Sequence, residues 1–292
     1  MTAPQRRPWL KPALHAVGFL AGLLAIAFVV LRLRDYSGQI DLARLSTGTL
    51  IALGALAVVS GLANVFLGLA WWRLLRMVDL QVKPLWAIRA HGVSQLARYV
   101  PGNVLQFAGR QAIGLAAGLP GVPLARSVLW ELGVLAVTGA LYALVAAPLL
   151  VPVVPSLIAL PVFLAVLWLA HWRFGLPLMQ ALLADVGLLT LNGSVFVGVL
   201  ALVQHEAFAW QTAPVVGGAF VLAWLIGLVT PGAPAGGGIR EAVLLFLLGH
   251  RYAPADLLLA IVLGRSVNIV GDVGYFVAAS LLPKMEPRDA AV

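Results

Sequence analysis

The sequence contains no cysteine, which excludes disulfides and thiolate metal sites. Charge is scarce as well. Asp, Glu, Lys and Arg make up 10% of the 292 residues, against about 25% in soluble domains. The five histidines (15, 91, 171, 205 and 250) are scattered and form no H-E-x-x-H pair. No Lys-Ser/Thr follows the glycine run "GAPAGGG", so it is not a P-loop. There is no G-x-S-x-G nucleophile elbow. A clustered Asp pair of the kind a metal-dependent membrane glycosyltransferase needs is missing too. No metal and no cofactor are expected, and a transporter is a better expectation than an enzyme.

What is abundant is apolar. Hydrophobic residues make up 62% of the chain and the mean hydropathy is +1.00. Several windows reach the roughly 20 residues that a membrane-crossing helix needs. The expected fold is an all-α polytopic membrane protein, one transmembrane domain over residues 1–292. Spans are expected at 12–31, 48–70, 126–147, 150–170, 177–203 and 256–282. Arg6, Arg7 and Lys11 precede the first apolar stretch as in a signal peptide. However, Ala25-Ile26-Ala27 is followed by Phe28–Leu31 and Arg32, which favours a retained first span. The net charge is +8. Much of the surplus flanks the spans and no basic run carries interleaved aromatics, so no nucleic-acid partner is expected.

Two apolar regions, 85–119 and 212–249, are broken by Pro-Gly. One reads "ARYVPGNVLQFAGRQAIGLAAG" and the other "GLVTPGAPAGGGIREAVLLFLLG". Pro101-Gly102 aligns with Pro231-Gly232, and Arg110-Gln111-Ala112 with Arg240-Glu241-Ala242, both at an offset of 130. Extended outward, the similarity defines an inverted repeat over about 12–147 and 150–282, with about six spanning helices and two re-entrant hairpins. With the N-terminus cytoplasmic, Arg6, Arg7, Lys11, Arg73, Arg76, Lys83, Arg89, Arg126, Arg173, Lys284 and Arg288 face inward. Only Arg32, Arg34, Arg44 and Arg251 face outward. Eleven against four obeys the positive-inside rule. The expected location is a bacterial cytoplasmic (inner) membrane, multi-pass, with both termini cytoplasmic. Trp71, Trp72, Trp86, Trp168 and Trp172 are expected at the inner interface and Trp210 at the outer one. Broken helices at membrane depth are tolerated where they are buried or line a polar cavity, the arrangement of inverted-repeat transporters.

The motifs "WWRLL" (71–75), "RYVPGNV" (98–104) with Arg110, "PAGGGIREA" (234–242) and "LGRSVNIVGDVGYF" (263–276) follow one another in a familiar order. The sequence resembles the flippase-like transmembrane domain of the lysylphosphatidylglycerol synthase (multiple peptide resistance factor) family and its stand-alone relatives. It departs from them at Leu132, where the family carries an Arg after the glutamate, and in the extra Pro-Ala of "PGAPAGGG". The resemblance implies lipid handling. The chain's end at Val292 leaves no room for the family's aminoacyl-transferase domain, so lipid aminoacylation is not expected.

Arg98, Arg110, Arg240 and Arg265 fall in or beside apolar segments, with Glu131, Asp185, Glu241 and Asp272. A charge at the bilayer centre costs at least ~2.5–3.5 kcal/mol, so each must pair or face water. Arg110 and Arg240 follow the breaks, where free helix N–H groups and a guanidinium fork suit a phosphate. The expected headgroup site is Arg110, Arg240, Arg98, Asn103, Glu241 and the glycines Gly236, Gly237 and Gly238, which would let a headgroup approach the backbone. The other reading of Arg240 is a structural pin, paired with Glu241 or Asp272. Glu131 and Arg265 occupy matched positions, "VLWE" (128–131) and "VLGR" (262–265), and are expected to pair with each other. Asp185 and Asp272 are either coupling carboxylates or hydrogen-bonded core groups. Asn64, Asn192 and Asn268 are expected as interhelical glue. The expected function is flipping of an anionic phospholipid or a polyprenyl-phosphate-linked sugar. The alternatives are a membrane enzyme, or a scaffold subunit with glycosyltransferase partners, in lipid-linked sugar synthesis.

Overall fold

The computed structural model describes residues 46–99, 105–151, 155–204, 207–230 and 236–287. The expected span 12–31, Asn103 and both Pro-Gly breaks lie outside these residues. The described residues contain no strand, and the chain is an all-α polytopic membrane protein. Its helices are α1 (Thr47–Met77), α2 (Pro84–Gln95), α3 (Leu105–Ala116), α4 (Gly121–Ala146), α5 (Ala159–Phe174), α6 (Leu176–Val203), α7 (Ala213–Val229), α8 (Ile239–Leu248) and α9 (Pro254–Leu281).

Local chemistry sets the boundaries. Ser46 caps α1, its hydroxyl accepting from the Thr49 amide at 3.2 Å. Helices α2, α6, α7 and α9 each carry a proline at the first or second position, where the missing N–H has no intrahelical partner to lose. Gly175 separates α5 from α6 with φ +80°, a backbone that favours glycine.

Among the described residues five apolar segments are long enough to cross a membrane: Thr47–Met77, Gly121–Leu149, Leu176–Val203, Trp210–Val229 and Pro254–Leu281. Two lengths differ from expectation. Instead of a span at 150–170 there is the 16-residue α5, about 24 Å at 1.5 Å per residue against a hydrocarbon core of ~30 Å. Short 3-10 turns at Ala147–Leu149 and Ser156–Ile158 take up the residues before it. Conversely Trp210–Val229, expected as one arm of a re-entrant hairpin, has the length and composition of a span. Helices α2, α3 and α8 have 12, 12 and 10 residues, or about 15–18 Å each, half a bilayer core.

Polar and charged side chains lie inside beside an apolar core, and large apolar side chains cover the outside. Ser60, Asn64, Gln95, Arg110, Glu131, Thr138, Asp185 and Asp272 are buried, while leucines and valines such as Leu62, Leu129, Leu157 and Val270 are exposed. That arrangement suits a lipid surround, which cannot satisfy polar groups. The largest apolar core joins α1, α6, α7, α8 and α9 around Phe196, Leu200, Phe220 and Leu257.

Helices α1 and α6 run antiparallel: Leu56 lies against Gly198, Ser60 against Asn192 and Phe66 against Gly187. Helices α1 and α9 run parallel, with Gly61 on Gly271 and Gly68 on Tyr275. Contacts in one half have counterparts in the other. Helix α1 packs on α2, α4 and α9, as α6 packs on α7, α9 and α4; α4 packs on α7 as α9 packs on α2.

Small residues allow the tightest crossing. A Cβ on Gly271 would stand 2.8 Å from both the Ala57 carbonyl oxygen and the Gly61 amide nitrogen. There α1 and α9 meet backbone to backbone, as small residues permit in membranes.

Candidate functional site

A cleft of about 980 Å³, open sides included, lies between the two halves. All four arginines singled out in the sequence line it: Arg98, Arg110, Arg240 and Arg265. Of the four acidic candidates only Glu131 and Asp272 do. Apolar and aromatic residues complete the lining, among them Phe107, Leu188, Phe220, Val221, Trp224 and Leu228.

In the first half, α3 carries Arg110, 1% exposed, between the rings of Trp71 and Phe107 at 5.2 and 5.1 Å. "WWRLL" supplies Trp71, which is fully buried, stacks on Trp86 at 5.9 Å and donates to the Ser127 hydroxyl at 3.1 Å. Trp71 and Trp86 are packed inside the protein, whereas Trp168, Trp172 and Trp210 are exposed. Arg110 NH2 meets Glu131 Oε1 on α4 at 2.8 Å. Its Nε and NH1, and the second oxygen of Glu131, are buried without hydrogen-bond partners.

In the second half, Arg240 is the second residue of α8. Its stem passes Gly227 and Gly236: a Cβ on Gly227 would strike the Arg240 Cγ, and one on Gly236 would lie 2.9 Å from its Cδ. The guanidinium carbon stands 5.6 Å from the Phe220 ring. Among the described residues no carboxylate is within ion-pair distance of Arg240, so the expected pin to Glu241 or Asp272 is not formed.

The matched residues Glu131 and Arg265 do not form the expected pair. Glu131 binds Arg110, and Arg265 NH1 lies 4.0 Å from Glu241 Oε1. Each long helix instead meets the short helix that precedes it, α4 to α3 and α9 to α8. Proximity along the chain favours these partners.

Gly236, Gly237 and Gly238 are not in the cleft lining. Gly236 and Gly238 have φ +67° and +81°, and Gly236 lies against the Gly227 backbone. They turn the chain into α8 and make room for the Arg240 stem. Glu241 is also outside the lining. It sits in the first turn of α8, where free N–H groups favour a carboxylate.

Asp272 is heavily bonded. It accepts from Asn64 Nδ2 at 2.9 Å, Gln95 Nε2 at 3.3 Å, Arg98 NH1 at 3.3 Å and the Tyr99 hydroxyl at 2.6 Å. Arg98 also donates through Nε to Gln106 at 3.3 Å. This cluster ties the residues just before the first break to α9. Asp185 lies elsewhere, buried and bonded to the Thr138 hydroxyl, a core group away from the cleft. The glue asparagines are well placed: Ser60 donates to Asn192 and Asn268 at 3.1 and 2.9 Å. Gln95, Tyr99, Gln106, His91 and Trp224 were not singled out from the sequence. Gln95 lies just before "RYVPGNV" and Tyr99 within it, and a glutamine in an apolar stretch was the available signal.

The fold and the cleft together define a helical membrane protein with an internal cavity lined by four arginines. No protein-family model matches the chain, and no curated protein matches it either.

Proposed function

We propose that the chain translocates a lipid with an anionic, phosphate-bearing headgroup, the headgroup crossing through the cleft while the acyl or polyprenyl tails stay in the bilayer. One observation carries this proposal. Four arginines from four separate segments converge on one cavity, and Arg240 has no carboxylate partner among the described residues. A guanidinium at membrane depth is costly unless an anion or water meets it, and its planar fork matches phosphate oxygens. The apolar wall with Trp224 and Phe220 suits the start of a lipid tail or a sugar face. The paired helix contacts and the antiparallel α1 and α6 support an inverted repeat, the architecture of alternating access. The orientation follows the charge count, with both termini cytoplasmic.

The test is transbilayer movement of a fluorescent anionic phospholipid in proteoliposomes. Wild-type protein accelerates it, Arg240→Lys keeps part of the rate, and Arg240→Ala loses most of it at equal folded yield. Equal rates in wild-type and protein-free vesicles would refute translocation. The scaffold alternative is favoured by no specific observation among the described residues.

A further inference from the structure

Two ion pairs tie the hairpin arms to the long helices that follow, and their polarities are opposite. In the first half the arm supplies the cation, Arg110, and the long helix the anion, Glu131. In the second half the long helix supplies the cation, Arg265, and the arm the anion, Glu241. Arg240 is the match of Arg110. Where Arg110 faces a carboxylate, the position that would supply one to Arg240 is itself an arginine. Three of the four cleft arginines thus face a carboxylate, Arg98 at Asp272, Arg110 at Glu131 and Arg265 at Glu241, and Arg240 is left without one among the described residues.

We infer that the ligand supplies the missing anion: its phosphate lies against Arg240 in the second half as the Glu131 carboxylate lies against Arg110 in the first, and the headgroup carries a net negative charge with no amine. This rests on the headgroup proposal above. Donors are in surplus in the cleft, since Arg110 Nε and NH1 also lack partners. By charge the carboxylates are not in surplus, two against four arginines in the lining, although the second oxygen of Glu131 also lacks a partner. Glu131 is held by Arg110, and Asp272 by Arg98 with three neutral donors. A headgroup amine would find each of them already facing a cation and would add to the positive charge. An anionic phosphodiester with a neutral terminal group fits, and a zwitterionic one is disfavoured.

The experiment measures binding of two short-chain lipids to the purified full chain in neutral detergent. They are phosphatidylglycerol, with net charge −1, and phosphatidylethanolamine, which has the same phosphodiester plus an amine. Wild-type protein is expected to bind the first at least tenfold more tightly. Arg240→Ala and Arg240→Gln weaken phosphatidylglycerol binding by roughly ten- to a hundredfold, the value of a charged hydrogen-bonded contact. The decisive comparison is at Arg265. Arg265→Glu gives Arg240 an internal carboxylate and weakens binding at least tenfold more than Arg265→Gln, which only removes a cation. Thermal melting of each variant identifies the folded ones, and either Arg240 variant suffices. Equal binding by Arg265→Glu and Arg265→Gln, or equal affinity of wild type for both lipids, overturns this inference and leaves the headgroup proposal standing. Failure of folded wild type to bind either lipid overturns both.

Discussion

Removing Glu131 should strand a charge, and the structure sets the size of the effect. Arg110 is 1% exposed, and NH2 to Glu131 Oε1 at 2.8 Å is its one charged contact among the described residues. Nε and NH1 already lack partners, so no second acceptor stands ready. Breaking a buried pair by removing one partner costs about 3–5 kcal/mol. The Trp71 and Phe107 faces remain at 5.2 and 5.1 Å and return on the order of 1 kcal/mol, which places Glu131→Ala at the lower end of that range. Glu131→Gln keeps an acceptor and should lose less. The double change Arg110→Met with Glu131→Leu removes both charges and fills the space, so it should be near neutral or stabilising by up to ~4 kcal/mol. The assay is the temperature at which half of the detergent-solubilised protein loses its monodisperse elution peak. Glu131→Ala should lower it by on the order of 10 °C, and the double variant should recover most of that. Wild-type melting of Glu131→Ala, or a double variant worse than the single one, would refute the pairing.

Other consequences are direct. Gly271→Ala places a Cβ 2.8 Å from the Ala57 and Gly61 backbones; neither can yield, so thermal stability should fall by about 1–3 kcal/mol or more. Gly227→Ala pushes on the Arg240 stem without altering any charge, and should reduce lipid translocation more than it reduces melting temperature. Because the chain has no cysteine, single cysteines report sidedness without background. A cysteine in place of Ala253, exposed before α9, should react with an impermeant maleimide from outside. One in place of Gln81, exposed between α1 and α2, should not, and outside labelling there would reverse the proposed orientation.

The membrane class was legible because apolar runs of 20 residues have few other uses, and the four cleft arginines because charge in such runs needs a reason. The pairings were less legible. Matched positions 131 and 265 suggested a bond across the axis, yet each residue bonds to its own half, because a repeat equates environments without bringing equivalent residues together. The glycine run looked like a ligand surface. Its left-handed backbone at Gly236 and Gly238 and its contact with Gly227 are properties of the folded chain that composition does not carry. The four-donor shell of Asp272 draws on α1, α2, the turn after it and α9, a long-range convergence with no periodic trace. Helix lengths failed where local turns intervened, at α5, and where a broken region held one long arm, at α7.

The central claim is that the cleft holds an anionic headgroup at Arg240. Its most direct test is native mass spectrometry of the protein extracted in mild detergent, with identification of the lipid that stays bound. Wild-type protein should retain a phosphate-bearing lipid of net negative charge, and folded Arg240→Ala should release it under the same activation energy. Retention of that lipid by folded Arg240→Ala, or a bound lipid without phosphate in the wild type, would contradict the account.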